Sequence, residues 1–246
     1  MKPRGDTARQ AALRDAVIQK STQENIYVKK IHSFLAPGAR LLDIGCGTGH
    51  IINALARRHK DTLFTALDIS RAMLELTAAN NVALPNVLCV QGDGVHLPFS
   101  DFSFDTVITR LAEYAAQEAY RVVQRSGYFL EYGLGPDADK EIREFFSDRI
   151  KKENFFVPRD AHKWKQEVCK PVLDAGFSIN SIDEYREKDH YSDTETLMDI
   201  IEMVPLVKDF DRKKDKRTIQ ELANAHRENG GFSVTWHYYI IIAQKP

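Results

Sequence analysis

Short apolar segments alternate with segments of helical periodicity between residues 40 and 132, and this alternation restricts the fold more than any other feature of the chain. The segments that we interpret as strands are 40–44, 63–67, 87–90, 104–109 and 128–132. The segments between them that we interpret as helices are 48–59, 70–80 and 113–124. Strands joined by helices of this length form βαβ units, in which the strands lie parallel in one sheet. The pattern therefore predicts an α/β fold with a mostly parallel sheet.

The chain on either side of this alternation is predicted to be richer in helices. Residues 1–36 form a predicted N-terminal helical cap that ends at the Pro37-Gly38 turn. The elements expected later are helices over 137–152 and 161–175, a sixth strand over 177–182, a helix-rich insertion over about 190–228 and a last strand over 233–243. The predicted organisation is a cap over 1–36 and one domain over 37–246.

Composition excludes several classes of protein. A formal net charge of -1 over 246 residues provides no global basic field that would attract nucleic acid. Residues 1–10 lack the apolar core of a secretion signal, and no apolar run is long enough for a transmembrane helix, so we expect a cytoplasmic protein without a membrane partner. Cys46, Cys89 and Cys169 are widely spaced and form no C-x-x-C pair, which predicts free thiols and no metal site.

A glycine-rich segment from Asp43 to Gly49, with the sequence Asp-Ile-Gly-Cys-Gly-Thr-Gly, joins the first predicted strand to the first predicted helix. Glycines at this place permit a sharp turn and a close approach of the backbone to a ligand. A dinucleotide site requires the pattern G-x-G-x-x-G, whose third glycine allows the helix to pack closely on the strand. His50 occupies that third position, which argues against a nicotinamide enzyme.

The segment Asp43–Gly49 resembles motif I of the class I methyltransferases, and the resemblance extends over about residues 38–132. It implies the cofactor S-adenosyl-L-methionine and a Rossmann-like fold, in which a mostly parallel seven-stranded sheet has an antiparallel last strand. It also implies that the turn lines the methionine part of the cofactor, and that the acid supports the turn and the cofactor's amino group. The residues concerned are Asp43, Gly45, Cys46, Gly47 and Gly49.

Two acids downstream are candidates for holding the nucleoside. Asp68 ends the second predicted strand, where a carboxylate can accept hydrogen bonds from both ribose hydroxyls, and Ile69 is placed to pack on the adenine. The resemblance implies that Asp93, followed by Gly94, contacts the adenine amino group.

The acceptor side is less defined. By the resemblance, the fourth strand ends at Thr109 and Arg110 facing the transferable methyl group. Arg110 is a candidate partner of an acidic acceptor group or of the cofactor's carboxylate, and an ion pair with a neighbouring helix is the alternative. Methyl transfer from a sulfonium is an in-line displacement, so a catalytic base is optional. Weak candidates for that base are Tyr114 and His237, and a strand histidine that faces solvent or a helix is the simpler interpretation of His237.

Three functions remain open at this point. The leading hypothesis is a methyltransferase that acts on the oxygen, nitrogen or carbon of a small molecule. RNA or another macromolecule is the alternative acceptor, although the basic segment 208–217 is more simply a solvated loop. A non-catalytic regulator that binds S-adenosylmethionine is the third. Aromatic residues that form either a lid over the acceptor or ordinary core are Phe155, Phe156 and Trp164, with His190 and Tyr191 opening the insertion. No oligomeric state is predicted.

Overall fold

The computed structural model describes residues 11–12, 15, 26–150, 160–203 and 206–246, and its central feature is one β-sheet. The strands are β1 (Arg40–Ile44), β2 (Leu63–Asp68), β3 (Val87–Gln91), β4 (Phe104–Arg110), β5 (Val123–Leu134), β6 (Ser178–Tyr191), β7 (Arg227–Glu228) and β8 (Gly231–Gln244). Their order is β3-β2-β1-β4-β5-β8-β6, and the two-residue β7 pairs with β8. The predicted α/β fold, with mostly parallel strands and an antiparallel last strand, is confirmed.

Helices alternate with the strands in the first half of the chain. The described helices are α1 (Ile26–His32), α2 (His50–Ala56), α3 (Arg71–Asn80), α4 (Ala116–Val122), α5 (Lys140–Phe145), α6 (Trp164–Asp174), α7 (Thr194–Met203) and α8 (Lys216–Ala225). Ser70 caps α3, and its side chain accepts a hydrogen bond from the backbone N–H of Met73, as serine commonly does at this position. Within the described residues, no helix combines the length and apolar character that crossing a bilayer requires.

Strand β1 explains where ligands can reach this sheet. Leu41, Leu42 and Ile44 are fully buried, as expected for a parallel strand covered on both faces. β1 pairs in parallel with β2 and β4, and Ile44 lies opposite both Leu67 and Thr109. The carboxyl ends of these three strands therefore share one edge of the sheet, which is where ligands bind in open α/β sheets.

Several predicted elements differ from the structure in length, and β6 and α5 are two examples. β6 continues to Tyr191, so His190 and Tyr191 end a strand instead of opening an insertion. The helix expected over 137–152 is reduced to α5, because Asp139 at its N-terminus has a left-handed backbone with φ 53°. Both differences arise in segments with many charged residues, whose apolar periodicity is weak.

The chain divides into two compact units. Unit 1 comprises 1–133, 165–183 and 240–246, and it contains β1 to β4 and α1 to α4. Unit 2 comprises 134–164 and 184–239, and it contains α5, α7 and α8. Unit 2 has an apolar core of its own, and the members of that core include Ile142, Phe146, Leu197, Met198, Ile219 and Leu222.

Several predictions fall on parts of the chain that carry no description. Phe155 and Phe156 lie outside the described residues, as do most of the residues of the predicted cap over 1–36. The cap, the single domain over 37–246 and the insertion over about 190–228 stay predictions.

Candidate functional site

The glycine-rich turn follows β1 in unit 1, and its backbone needs glycine. Gly45, Gly47 and Gly49 have φ values of 75°, 58° and 76°. A residue with a Cβ adopts this left-handed conformation at a cost of about 1–2 kcal/mol. Three such residues in alternate positions therefore explain why glycine recurs at every second place.

The three glycines differ in what surrounds them. A Cβ on Gly45 would collide with the Cβ of Ala112, and one on Gly49 would lie 2.6 Å from Cγ2 of Thr77. A Cβ on Gly47 would meet nothing within 4 Å. Gly45 and Gly49 are therefore required for packing, whereas Gly47 presents an open backbone face to a ligand.

Asp68, at the end of β2, connects that strand to the glycine turn. Its Oδ2 accepts a hydrogen bond from the backbone N–H of Gly47 at 2.9 Å, and its Oδ1 accepts one from the N–H of Ser70 at 2.8 Å. The carboxylate that contacts the turn is thus Asp68, and it holds both the turn and the start of α3.

The residues proposed for the adenine lie beside Asp68 and at the end of β3. Ile69 is 38% exposed, which is high for a large apolar side chain next to a buried strand. Asp93 Oδ1 accepts a hydrogen bond from the backbone N–H of Val95 at 3.0 Å, and Oδ2 of this half-exposed carboxylate lies 3.8 Å from Nδ1 of the exposed His96. A Cβ on Gly94 would collide with the carbonyl oxygen of Glu113. Gly94 therefore allows the segment after β4 to approach the end of β3.

Asp43 is a buried acid on β1, only 3% exposed. The pKa of its carboxyl is raised to about 7, mainly by burial and also by the charge of Asp68, while the charge of Arg110 opposes the shift. Among the described residues, no hydrogen-bond donor reaches this carboxylate. Asp43 can therefore receive a cationic group, which would favour its ionised form.

Thr109 and Arg110 end β4 on the same edge. The Thr109 side chain donates a hydrogen bond to the carbonyl oxygen of Ile44 at 3.2 Å, which ties β4 to the end of β1. The Arg110 guanidinium carbon lies 4.9 Å from the centre of the Tyr132 ring. Its Nε is buried and has no hydrogen-bond partner among the described residues.

His50 begins α2, and the residue as a whole is only partly buried. Nδ1 is buried without a hydrogen-bond partner in the described part of the chain. The pKa of His50 is lowered to about 3, mainly by burial and also by the charge of Arg110. Sequence reasoning used His50 only to exclude a dinucleotide site. Its position directly after the glycine turn was the signal that could have marked it as a site residue.

The Cys46 side chain packs against the turn itself, with its Sγ 3.8 Å from the carbonyl oxygen of Gly47. Its thiol is buried 3.7 Å from the hydroxyl oxygen of Thr77, and burial raises its pKa. The backbone of Cys46 donates to the carbonyl oxygen of Leu67 at 3.0 Å. Cys46 can thus contribute main-chain shape to the turn, while its sulfur belongs to the interior.

The two candidate bases lie in different environments. Tyr114, in unit 1, donates its hydroxyl hydrogen to Oε2 of Glu131 at 2.5 Å. His237, in unit 2, is 0% exposed, and its Nδ1 accepts a hydrogen bond from the backbone N–H of Asp137 at 3.1 Å. Nε2 of His237 lies 3.2 Å from Oε1 of Glu184. A catalytic role for either residue stays a prediction. Glu131 was not identified from the sequence, because only the fold brings it to Tyr114.

Comparison with known proteins identifies the family. Residues 41–127, which include β1 to β4 and the glycine turn, match the family model of a methyltransferase domain. The chain belongs to the class I S-adenosylmethionine-dependent methyltransferases. The predictions of the family and of its cofactor, S-adenosyl-L-methionine, are confirmed.

Relatives of this methyltransferase-family chain carry the names of two kinds of methyltransferase. It is 32% identical over 177 residues to the malonyl-[acyl-carrier protein] O-methyltransferase of Dechloromonas aromatica, covering 69% of this chain and 63% of that protein. It is 29% identical over 186 residues to the protein of the same name from Methylovorus sp., covering 70% of this chain and 61% of that protein. Over 131 residues it is 32% identical to phthiotriol/phenolphthiotriol dimycocerosates methyltransferase 1 of Mycobacterium ulcerans, covering 50% of this chain and 47% of that protein. The chain thus spans about three fifths of the two malonyl-[acyl-carrier protein] relatives.

Solved structures share the fold at low sequence identity. A SAM-dependent methyltransferase of Methanosarcina mazei superposes with a TM-score of 0.55 at 19% identity, over 88% of this chain and 96% of that one. Geranyl diphosphate methyltransferase in complex with sinefungin superposes with a TM-score of 0.56 at 13% identity, over 90% of this chain and 77% of that one. A [4+2]-cyclase superposes with a TM-score of 0.63 at 18% identity, over 97% of this chain and 94% of that one. Because a cyclase shares this fold, the fold alone does not specify the reaction.

Proposed function

We propose that this protein transfers the methyl group of S-adenosylmethionine to an oxygen of a small acyl acceptor. The cofactor, when bound, supplies a methyl group activated by a positively charged sulfur. Relatives named as malonyl-[acyl-carrier protein] O-methyltransferases support an oxygen acceptor on an acyl group. The observation that carries the proposal is the open backbone face of Gly47, bordered by Asp68 at the end of the next strand.

The residues of unit 1 fit each part of this cofactor. Gly47 leaves room for the aminoacyl chain, and Asp43 would accept its ammonium group. Asp68, at the carboxyl end of β2, would accept hydrogen bonds from the ribose hydroxyls. The adenine would be held by the exposed face of Ile69 and by Asp93. The turn residues Gly45, Cys46 and Gly49, with Gly94, Thr109 and Arg110, shape the same edge.

Catalysis by this chain would consist mainly of alignment. An in-line displacement gains its rate from the orientation of the acceptor, and a carboxylate acceptor needs no base. An alcohol acceptor would lose a proton, and the Tyr114–Glu131 pair is the candidate to receive it. His237 remains a second candidate only if the acceptor contacts unit 2.

A small acceptor is favoured over RNA by the charges in the basic segment. Arg212 is paired with Glu195 at 2.5 Å and with Asp199 at 2.6 Å, and Arg217 is paired with Glu221 at 2.8 Å. These pairs neutralise part of the positive charge that phosphate binding would use. We also propose a cytoplasmic location, because Cys46, Cys89 and Cys169 are free thiols.

Titration calorimetry with S-adenosylhomocysteine tests the cofactor part of the proposal. The wild type is expected to bind this ligand and not NAD. Asp68→Ala should weaken binding by about 1–3 kcal/mol, since the ribose hydroxyls lose a charged acceptor. Asp105→Ala is the matched control, because this acid bonds to the N–H of Arg40 at the start of β1. Equal affinity of both variants and the wild type would remove Asp68 from the site.

Transfer of a labelled methyl group tests the reaction. The protein is incubated with labelled S-adenosylmethionine and, separately, with malonyl-pantetheine or total RNA. Label in a malonyl methyl ester is the expected result. Label in RNA would replace the acyl acceptor with the macromolecular one. Binding of S-adenosylhomocysteine without transfer to any pool would favour a regulator.

A further inference from the structure

Two buried nitrogen atoms at the end of β4 and the start of α2 have no acceptor in the described structure. They are Nε of Arg110 and Nδ1 of His50. Buried polar groups in native proteins are nearly always hydrogen-bonded, and an unpaired one costs about 1–3 kcal/mol. Two such atoms in one region indicate a group that both can bind.

The backbone brings these two residues to the same edge of unit 1. Arg110 ends β4 next to Thr109, which lies opposite Ile44 of β1 in parallel register. His50 follows the glycine turn that leaves β1. The charge of Arg110 also lowers the pKa of His50, so the two side chains lie close enough to interact.

The residue after Arg110 ties the end of β4 to β5, and the Arg110 side chain lies over a ring of β5. Leu111 has a left-handed backbone with φ 54°, which is uncommon for a residue with a branched side chain. Its N–H donates to the carbonyl oxygen of Tyr132 at 3.1 Å. The guanidinium of Arg110 then lies 4.9 Å from the centre of the Tyr132 ring, which partly holds the cation.

The charges select the ligand group. Arg110 provides one positive charge with fixed N–H donors, and a neutral His50 provides one further N–H. The charge of Asp43 also reaches Arg110, so the three residues together are close to neutral when Asp43 is ionised. A dianionic phosphate would be repelled by Asp43, whereas a carboxylate carries one charge and suits the two donors.

We propose that Arg110 and His50 together form a carboxylate-binding clasp at the cofactor edge of unit 1. The proposal rests on the proposed function, because it assigns the clasp to a ligand of the same site. Two sources supply this chemistry, namely the carboxylate of the cofactor's aminoacyl group and the free carboxylate of an acyl acceptor. The clasp selects ligands that carry this group over ligands that lack it.

Paired ligands separate the clasp from the rest of the cofactor site. S-adenosylhomocysteine and 5′-methylthioadenosine share the nucleoside and the sulfur, and only the first has an aminoacyl group. Arg110→Met is expected to weaken S-adenosylhomocysteine binding roughly 10- to 100-fold, and His50→Leu roughly 5- to 20-fold, the usual range for a lost hydrogen bond to a charged group. Both variants should bind 5′-methylthioadenosine within about twofold of the wild type, because the nucleoside contacts are unchanged.

Two further variants serve as controls. His50→Gln keeps a side-chain N–H donor and should retain most of the affinity that His50→Leu loses. Arg57→Met removes an exposed arginine at the end of α2, which bonds to Asn53, and should change neither ligand's affinity. Urea denaturation of each variant verifies that it is folded at the titration temperature.

The second source is tested with malonyl-pantetheine and acetyl-pantetheine, of which only the first has a free carboxylate. If the variants keep their affinity for S-adenosylhomocysteine but lose malonyl-pantetheine selectively, the clasp binds the acceptor. Unchanged selectivity for both ligand pairs overturns the clasp, and so does an equal loss of S-adenosylhomocysteine and 5′-methylthioadenosine. The wild-type titration with S-adenosylhomocysteine tests the proposed function separately, because its failure does not depend on either variant.

Discussion

Replacing Gly45 and Gly47 by alanine, one at a time, should separate the folding role of the turn from its binding role. Both residues have left-handed backbones, so each alanine costs about 1–2 kcal/mol in conformational strain. At Gly45 the new Cβ also collides with Ala112, and overpacking of this kind adds about 1–3 kcal/mol. At Gly47 the new Cβ meets nothing within 4 Å, so no such addition is expected.

The expected losses of unfolding free energy are therefore about 2–5 kcal/mol for Gly45→Ala and about 1–2 kcal/mol for Gly47→Ala. Domains of this kind have total stabilities of about 5–15 kcal/mol, so urea denaturation resolves the difference. Binding should show a different ranking. The methyl group at Gly47 enters the space assigned to the aminoacyl chain, and S-adenosylhomocysteine should bind roughly 5- to 150-fold more weakly.

Two results would refute this reasoning. Equal destabilisation by both alanines would mean that the contact with Ala112 does not restrict the turn. Wild-type affinity of Gly47→Ala for S-adenosylhomocysteine, in a folded variant, would mean that the open face of the turn is not the binding surface.

Three other substitutions test buried polar groups. Burial raises the folded-state pKa of Asp43 from 3.8 to about 7, so the folded state holds the proton more tightly and wild-type stability should fall as the pH rises through this window. Asp43→Asn should not lose stability in this window, and in urea denaturation it should exceed the wild type above pH 7 by at most about 4 kcal/mol. The same stability difference between variant and wild type at pH 4 and at pH 8 would contradict this reasoning. Thr235→Val removes a hydroxyl that donates to the buried carboxylate of Glu141 at 2.6 Å and should cost about 1–3 kcal/mol by the same assay, whereas Thr235→Ser should cost less. The Lys245 ammonium donates to two backbone carbonyl oxygens at 2.6 and 2.8 Å, so Lys245→Met should lower the melting temperature. A melting temperature no lower than that of the wild type would show that these hydrogen bonds do not stabilise the fold.

The parts of the fold that depend on local sequence were predictable. β1 has the predicted bounds, because a short run of branched apolar residues between turn residues has few alternatives. The start of α3 near Ser70 was also predictable, since the capping hydrogen bond spans only three residues. The order of the glycine turn, Asp68 and the end of β4 followed from the family resemblance and from the geometry of parallel sheets.

Longer-range features were not predictable to the same extent. β6 was expected over 177–182 and runs to Tyr191, because charged residues such as Glu187 and Lys188 conceal its alternation. β6 lies at the end of the strand order, and an edge strand tolerates charged side chains. α2 begins at His50 instead of residue 48, because Gly49 has a left-handed backbone.

The candidate site shows the same limit. Asp43, Gly47 and Asp68 could be identified from a motif and its spacing. The buried nitrogen atoms of His50 and Arg110 could not, because burial depends on how β1, α2 and β4 pack, and no local pattern records it.

A crystal structure of the protein with S-adenosylhomocysteine tests the central claim most directly. The account predicts the aminoacyl chain against the main chain of Gly47 and both ribose hydroxyls on the carboxylate of Asp68. It is contradicted if the ligand lies elsewhere while the turn stays free, or if the turn instead holds the pyrophosphate of a dinucleotide.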